Sequence, residues 1–214
     1  MKKLMMFAFV SLAACGGKLP ETRFYQLATL TPAPAVADST GLVLAIQPFE
    51  AAQAYDDERI VYRQTPYRLD YYNYHRWSTS PGTLVSDFLE RSFESSGRFR
   101  GVTREAPSAP VTLSGRLIAL EEVDKTKSQW VGRVVIELTL TETASGDVLW
   151  TEQFEELEPL ATQNPDGLVQ ALSRAMNRIA QRALPVVSNL AVQVAGKDAK
   201  DGKATPSRAA RLKP

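Results

Sequence analysis

The chain has 214 residues, of which 44% are hydrophobic and 23% are charged, close to the average for soluble globular proteins. One Cys and one His cannot supply the four ligands of a structural zinc site, and one Cys cannot form an intramolecular disulfide. The 25 basic and 24 acidic residues nearly cancel, so the overall charge gives no indication of a nucleic-acid partner. This length predicts one domain with attachments at its ends.

The first fifteen residues are typical of an export signal that ends at a lipid-attachment site. Lys2 and Lys3 form a positive n-region, and the apolar stretch 4–10 is much shorter than the ~20 residues that cross a bilayer. Residues 12–15, Leu-Ala-Ala-Cys, resemble the lipobox of bacterial lipoproteins. That resemblance implies a signal peptide over 1–14, cleavage before Cys15, and a covalent diacylglycerol and acyl chain on Cys15. The alternative is an ordinary signal peptide with a chance Cys.

The lipid on Cys15 would be a membrane anchor, followed by a leash over residues 15–22. Each buried methylene contributes ~0.8 kcal/mol, so two or three acyl chains hold a folded domain stably on a membrane. Gly16 and Gly17 follow Cys15, so the position after the Cys is not occupied by an Asp. In enterobacteria-like sorting this implies the outer membrane, with the protein on its periplasmic face. No other cofactor or metal is expected.

The first half of the body predicts several short strands. Residues 23–27 suggest a brief strand, and 42–46 suggest a buried strand that stops at Pro48. The Pro- and Ala-rich stretch 31–40 is typical of an exposed loop. Two further strands are predicted at 59–64 and 67–71, with a turn at Thr65-Pro66.

Two helices are predicted from their start signals and apolar spacing. Ser80 is an N-cap before Pro81, apolar residues follow at helical spacing, and Gly97 ends the element. Asn164 and Pro165 begin the second helix in the same way. Its apolar stripe comprises Leu168, Leu172, Ala175, Met176, Ile179 and Ala183, and we expect it to end before Pro185.

Between the helices, residues 111–123, 130–142 and 147–154 predict a three-stranded meander. In its middle strand Val134, Ile136, Leu138 and Leu140 alternate with polar residues, so one face should be buried and the other wet. The predicted fold class is therefore α+β, a mostly antiparallel sheet with two principal helices packed on one face. The tail over 187–214, rich in Lys, Ala, Gly and Pro towards its end, is expected to be basic and disordered.

Catalytic patterns are weak in this sequence. His75 is the only His, and no G-x-S-x-G, Walker A or G-x-G-x-x-G motif is present. Acidic clusters occur at 121–124 and 152–158, and without aromatic neighbours they are expected to be solvated faces. A catalytic role for His75 is kept only as an alternative, and we expect no enzyme.

One segment contains far more tyrosine and arginine than the rest of the chain. Six of the seven tyrosines lie between Tyr55 and Tyr74, followed by Trp77. Tyr and Arg are favoured at interfaces because each joins a large contact area to a polar end. The candidate partner-docking residues are Arg59, Tyr62, Arg63, Tyr67, Tyr71, Tyr72, Tyr74 and Trp77. Strand aromatics are often core residues, so we expect about half of the rings inside.

The ordered set of these features resembles a known family. It comprises Cys15, the Phe24-Tyr25-x-Leu27 motif, the strand 42–46, and the run from 59 to Pro81 that leads into the first helix. Together they resemble the ABC-type transport auxiliary lipoproteins, the family of paraquat-inducible protein C. The resemblance covers roughly residues 15–185 and implies an ABC-transport auxiliary domain over 23–186.

The resemblance implies a non-enzymatic periplasmic lipoprotein of a lipid or hydrophobic-molecule transport system between two membranes. Its expected partners are an MCE-domain protein, an ABC permease assembly and the membrane, and members can form ring-like homo-oligomers. Three alternatives remain open: a direct lipid carrier with an apolar groove between helix and sheet, a hydrolase using His75, and a structural envelope lipoprotein. The basic tail is a further candidate for contact with anionic headgroups.

Overall fold

The computed structural model of the protein describes residues 20–29 and 39–200. The predicted signal peptide, Cys15, most of the leash, nearly all of the Pro-Ala loop and the tail after Lys200 lie outside the described residues. Within the described part the strands are β1 (Arg23–Tyr25), β2 (Val43–Ile46), β3 (Glu50–Ala51), β4 (Arg59–Thr65), β5 (Arg68–Trp77), β6 (Gly101–Thr103), β7 (Val111–Thr126), β8 (Gln129–Glu142) and β9 (Val148–Pro159). The helices are α1 (Pro81–Ser95) and α2 (Pro165–Lys200), with 3₁₀ turns at Gln53–Tyr55 and Ala106–Ser108.

The predicted meander is confirmed and is the longest part of the sheet. Strands β7, β8 and β9 pair in sequence order and antiparallel. The alternating apolar residues of β8, from Val134 to Leu140, are fully buried. Side chains from α1 and α2 join them in a single hydrophobic core, so both helices pack on this side of the sheet. The meander therefore has one face under the helices and one face turned away from them.

The prediction of a mostly antiparallel sheet is wrong, because the described strands form a mixed sheet of nine. On the edge of β7 away from β8, three short strands pair with it in parallel: β2 near its start, β3 at its middle and β4 near its end. Strand β6 pairs parallel to β2, and β1 pairs parallel to β5. Among the described strands outside the meander, only β4 and β5 pair antiparallel with each other. The apolar pattern within one strand fixes its faces but not the direction of a partner remote in sequence.

The start and end signals of α1 are confirmed. Ser80 has extended backbone angles, Pro81 occupies the first helical position, and Gly97 after the helix has φ of 67°. That left-handed conformation favours glycine because a Cβ there would be strained. The Ser80 hydroxyl donates to Thr83 Oγ1 at 2.9 Å, so its side chain closes the first turn through another side chain instead of a backbone N–H.

The start of α2 is also as predicted, but its end is not. Asn164 Oδ1 accepts a hydrogen bond from the N–H of Gly167 at 2.8 Å, and the predicted apolar stripe is buried. The helix does not end before Pro185; it continues to Lys200. A proline inside a helix removes one hydrogen bond and costs about 3 kcal/mol. Residues Val187, Ala191 and Val194 continue the buried stripe beyond it, and this packing offsets the cost. Residues 187–200 of the predicted disordered tail are therefore helical.

The extension beyond Pro185 can be tested with two valines on the same helix. Val187 is fully buried, whereas Val192 is 48% exposed. Val187→Ala should lower the free energy of unfolding by about 2 kcal/mol, because it removes buried methyl groups and leaves a cavity. Val192→Ala should change it by less than about 0.5 kcal/mol. Urea titrations followed by circular dichroism measure both, and equal effects would mean that this part of the helix is not packed on the domain.

Candidate functional site

The β4–β5 hairpin carries the predicted docking segment and divides its side chains between the two faces of the sheet. Ile60 lies in the core under the helices, and the adjacent Val61 lies in a separate small cluster with Tyr55 and Val135. Strand alternation therefore directs Arg59 and Arg63 to the face without helices. Tyr71 pairs with Val61 across the hairpin, so it belongs to the same face. We call this side of the sheet the open face.

The predicted docking residues differ in how far they are buried. Trp77 is 1% exposed and lies in the core, so it cannot contact a partner in this conformation. Tyr62 and Tyr72 are half-buried and their rings contact each other at 4.9 Å between centroids. Tyr67 and Tyr74 are 96% and 37% exposed. Arg59, Arg63 and Tyr71 are half-buried on the open face, and together with Tyr74 we call them the hairpin surface.

A buried carboxylate holds the hairpin to the meander. Glu121 on β7 is fully buried and accepts hydrogen bonds from Arg63 Nε at 3.2 Å and Arg133 Nη1 at 2.9 Å. The Tyr55 hydroxyl donates to the same group at 2.7 Å. Burial, and then the bond to Glu121, raises the pKa of Tyr55 to about 12, so this hydroxyl remains a donor at physiological pH. The three donors come from β4, β8 and the 3₁₀ turn, and Glu121 joins all of them to β7.

The expectation that residues 121–124 form a solvated face is wrong for Glu121 and Glu122, which are both buried. Sequence reasoning missed Glu121, Arg133 and Tyr55 as a unit because their partners come from strands far apart along the chain. One signal was present: two glutamates interrupt an apolar strand between Leu120 and Val123. Buried acids of this kind require cationic or hydroxyl partners, and the arginines of the hairpin provide them.

Two further contacts order the hairpin surface. The Arg59 guanidinium lies over the Tyr71 ring, 4.4 Å from its centroid, and binds both oxygens of Asp57. The hydrogen bond from Arg59 lowers the pKa of Asp57, which keeps this pair charged. The Tyr71 hydroxyl donates to the Ala54 carbonyl at 3.1 Å. Arg and Tyr side chains fixed in this way lose little conformational entropy when a partner binds.

A groove of about 520 Å³ lies on the open face beside this surface. Its walls include Arg63 and Arg133, with Glu121 at its base and the hairpin turn at one end. Lys125 and Asp124 complete its charged lining. The groove therefore combines charged groups of both signs with apolar surface from residues such as Pro66 and Val123.

A second polar cluster lies on the helix-covered face. The Tyr72 hydroxyl donates to Glu122 Oε1 at 2.8 Å, and Tyr72 contacts the edge of the His75 ring. Burial raises the pKa of Glu122 to about 7, the bond from Tyr72 opposes this rise, and the nearby Asp124 charge adds to it. His75 Nδ1 is hydrogen-bonded to the Tyr25 hydroxyl at 2.9 Å, and burial lowers the pKa of this imidazole. Its described contacts are to aromatic residues and not to a nucleophile.

Comparison with known proteins gives one family and a recurring fold. The family model for the ABC-type transport auxiliary lipoprotein component matches residues 25–183. Protein XCC0632 from Xanthomonas campestris, of the family DUF330, has 18% sequence identity and a TM-score of 0.69 over 83% of this chain and 99% of that chain. The hypothetical protein CT253 from Chlamydia trachomatis has 8% identity and a TM-score of 0.50, over 72% and 98% of the two chains. At these identities the two structures show the fold alone. None of the curated proteins matches this chain.

Glutamine substitutions at the adjacent Glu121 and Glu122 are a matched pair of variants, and we expect them to change the free energy of unfolding in opposite directions. Glu121→Gln removes the negative charge that two arginines share, and the free energy of unfolding should fall by about 1–3 kcal/mol. Glu122→Gln keeps an acceptor for the Tyr72 hydroxyl and removes a buried acid, so this variant should be more stable than the wild type at pH 8. Urea denaturation at pH 8 measures both, and destabilisation of equal size in both variants would contradict the two assigned environments.

The raised pKa of Glu122 also predicts a pH dependence of stability. Between its ordinary pKa of 4.5 and its folded pKa of about 7, this carboxyl binds more protons in the folded chain than in the unfolded chain. Its contribution to the free energy of unfolding is therefore largest below pH ~4.5 and falls as the pH rises to ~7, by up to about 3 kcal/mol. The difference between the wild type and Glu122→Gln should follow this curve in denaturation measured from pH 5 to 8. A constant difference would exclude the titration of Glu122 as its cause.

Proposed function

Because the chain belongs to the family of ABC-type transport auxiliary lipoprotein components, we propose that it docks a transport assembly through its hairpin surface while a lipid on Cys15 holds it to a membrane. The family match over residues 25–183 is the observation that carries the transport role. The docking partner would be an MCE-domain protein or an ABC permease subunit. The transported molecule would be a lipid or another hydrophobic compound.

The structure supports docking because it leaves ordered recognition groups on the open face. Arg59, Arg63 and Tyr71 are oriented by fixed contacts to Asp57, Glu121 and the backbone. Tyr and Arg are the residues that most often supply binding energy at protein interfaces. The groove beside them has room for a partner segment.

The alternative of a lipid carrier with an apolar groove between helix and sheet has less support. In that layer Leu172, Met176 and Ile179 of α2 are fully buried against the apolar face of β8. Side chains occupy the space in which a carrier would hold acyl chains. The groove of the open face lies outside this layer, and Arg63, Arg133 and Lys125 line part of it.

Location and assembly complete the proposal. Lipoproteins of this family belong to the cell envelope, and the glycines after Cys15 support the outer membrane, with the domain on its periplasmic face. Neither described helix is both long and apolar enough to cross a membrane. A closed homo-oligomer would display several hairpin surfaces to one transport assembly, which would strengthen docking through multivalency.

The anchor has a direct test in cells. Cys15→Ser removes the only thiol that can receive the diacylglycerol. We expect the wild type in the membrane fraction and the variant in the soluble periplasmic fraction, because no acyl chain then holds the domain to the bilayer. Fractionation with immunoblotting measures this, and a variant that stays quantitatively membrane-bound in high salt would contradict acyl anchoring.

Photocrosslinking in living cells tests the docking proposal. p-Benzoylphenylalanine placed at Tyr71 or Tyr74 replaces one aromatic ring with another, and the exposed Gln153 on β9 provides a matched control position. Mass spectrometry of the adducts should find a subunit of a transport assembly from the hairpin positions and not from Gln153. Adducts from the hairpin positions that contain no transport subunit would contradict the proposal.

A further inference from the structure

Three turns lie together at one end of the sheet, as the strand register shows. Arg63 at the end of β4 pairs with Val123 near the end of β7, and Thr126 pairs with Gln129 across the β7–β8 turn. Val131 at the start of β8 pairs with Pro159 at the end of β9. The β4–β5 turn, the β7–β8 turn and the β9–α2 loop therefore share this end, which we call the tip.

The tip combines one exposed aromatic ring with free cations. Tyr67 is 96% exposed, the largest exposure among the large apolar and aromatic residues described. Lys125 and Lys127 are exposed, and neither forms an ion pair within residues 20–29 and 39–200. Arg68 is bound to Asp70 at 2.8 Å, so it adds no net charge. Nothing in the hairpin surface or the groove requires Tyr67 or Lys127.

The direction of β1 shows from which end of the sheet the chain enters the domain. Arg23 pairs with His75 and Tyr25 pairs with Trp77, so β1 runs parallel to β5. Because β5 begins at the tip, β1 runs away from the tip and the residues before Arg23 approach it from the tip side. Tyr25 lies within electrostatic reach of Asp166 in the first turn of α2, which also begins at this end.

The chain before β1 is long enough to reach from Arg23 to the tip. Eight Cα–Cα steps lead from Cys15 to Arg23, and they span at most about 29 Å when extended. Arg76, next to His75, pairs with Arg59, and Arg68 pairs with Thr65, so this length of the hairpin equals six steps of β4, or about 20 Å. The number of residues between Cys15 and β1 is therefore sufficient to reach from Arg23 to the tip. Helix α2 begins at the tip and runs about 54 Å away from it, so its last residue, Lys200, lies at the far end.

We propose that the tip is a membrane-contacting surface, with Tyr67 at the headgroup level and Lys125 and Lys127 against anionic headgroups of the bilayer that holds Cys15. This rests on the acylation of Cys15 stated in the proposed function. Tyrosine rings favour the membrane–water interface, and each lysine near an anionic surface raises binding about fivefold. The domain then stands on its tip, and the far end of α2 points away from this membrane.

The orientation can be measured with one fluorescent probe, because Cys15 is the only cysteine and is blocked by its lipid. Tyr67→Cys carries the probe at the tip, and Arg100→Cys carries it at the far end, where β6 and the start of β7 lie. Each acylated full-length mature protein is reconstituted into vesicles of phosphatidylcholine with phosphatidylglycerol. We expect blue-shifted emission and quenching by nitroxide-labelled lipid at Tyr67→Cys and neither effect at Arg100→Cys.

Three results would overturn the proposal, and they are distinguishable. A protein that fails to float with the vesicles would overturn the anchor and the tip contact together. A protein that floats while its Tyr67→Cys probe stays as water-exposed as the Arg100→Cys probe would overturn the tip contact alone. That second result would also be the outcome if the tip binds a protein instead of a bilayer. Equal quenching of both probes would mean that the domain has no fixed orientation.

A charge-matched pair of double variants tests the role of the lysines. Lys125→Glu with Lys127→Glu reverses two cations at the tip, and Arg100→Glu with Lys197→Glu reverses two exposed cations at the far end. Added to the Tyr67→Cys protein, the tip reversal should weaken tip contact about 25-fold or more and abolish the quenching at low salt. The far-end reversal should leave the quenching unchanged. Equal loss in both would show a response to net charge alone and overturn the assigned surface.

Discussion

The carboxylate of Glu121 is the interaction on which the rest of the surface depends. Burial of an isolated carboxylate is costly, and Glu121 is tolerated because Arg63, Arg133 and Tyr55 each donate to it. These donors come from three other elements, so the group fixes the position of the β4–β5 hairpin against the meander. Removal of any one donor would leave the remaining charge less compensated, which makes the arrangement selective for one register of the hairpin.

The two faces of the sheet have different tasks because of this placement. On the helix-covered face, apolar side chains of the meander and both helices fill the core, and Trp77 closes it at the end of β5. On the open face, the same hairpin presents Arg59 and Tyr71 in a stacked pair. The alternation of a single strand pair thus supplies both a core residue and the surface that we propose for docking. The pattern of interleaved tyrosines and arginines reflects this double use, and not one continuous binding site.

Local signals in the sequence predicted local structure well. The Ser80-Pro81 and Asn164-Pro165 pairs marked both helix starts, and the alternation from Val134 to Leu140 identified the buried face of the central strand. These features depend on backbone preferences and on spacing within one element. The resemblance to transport auxiliary lipoproteins, read from the ordered motifs, is confirmed by the family match.

The features that sequence reasoning missed all depend on contacts between distant parts of the chain. The parallel pairing of β2 and β4 with β7 joins residues separated by about sixty positions. The sequence within those strands does not determine whether they pair parallel or antiparallel. The same is true of Glu121, whose arginine partners lie before and after it on other strands. At Pro185 a local rule predicted a helix end, and the burial of Val187 and Ala191 against the domain outweighed it.

Hydrogen exchange measured by mass spectrometry on Glu121→Gln, with Glu122→Gln as its neighbour control, tests most directly whether Glu121 positions the hairpin. The account predicts faster exchange in residues 53–77 of Glu121→Gln, while α1 and α2 keep the protection they have in the wild type and in the control. Unchanged protection of residues 53–77, or an equal loss across the whole domain, would contradict the claim that this one carboxylate holds the hairpin surface in place.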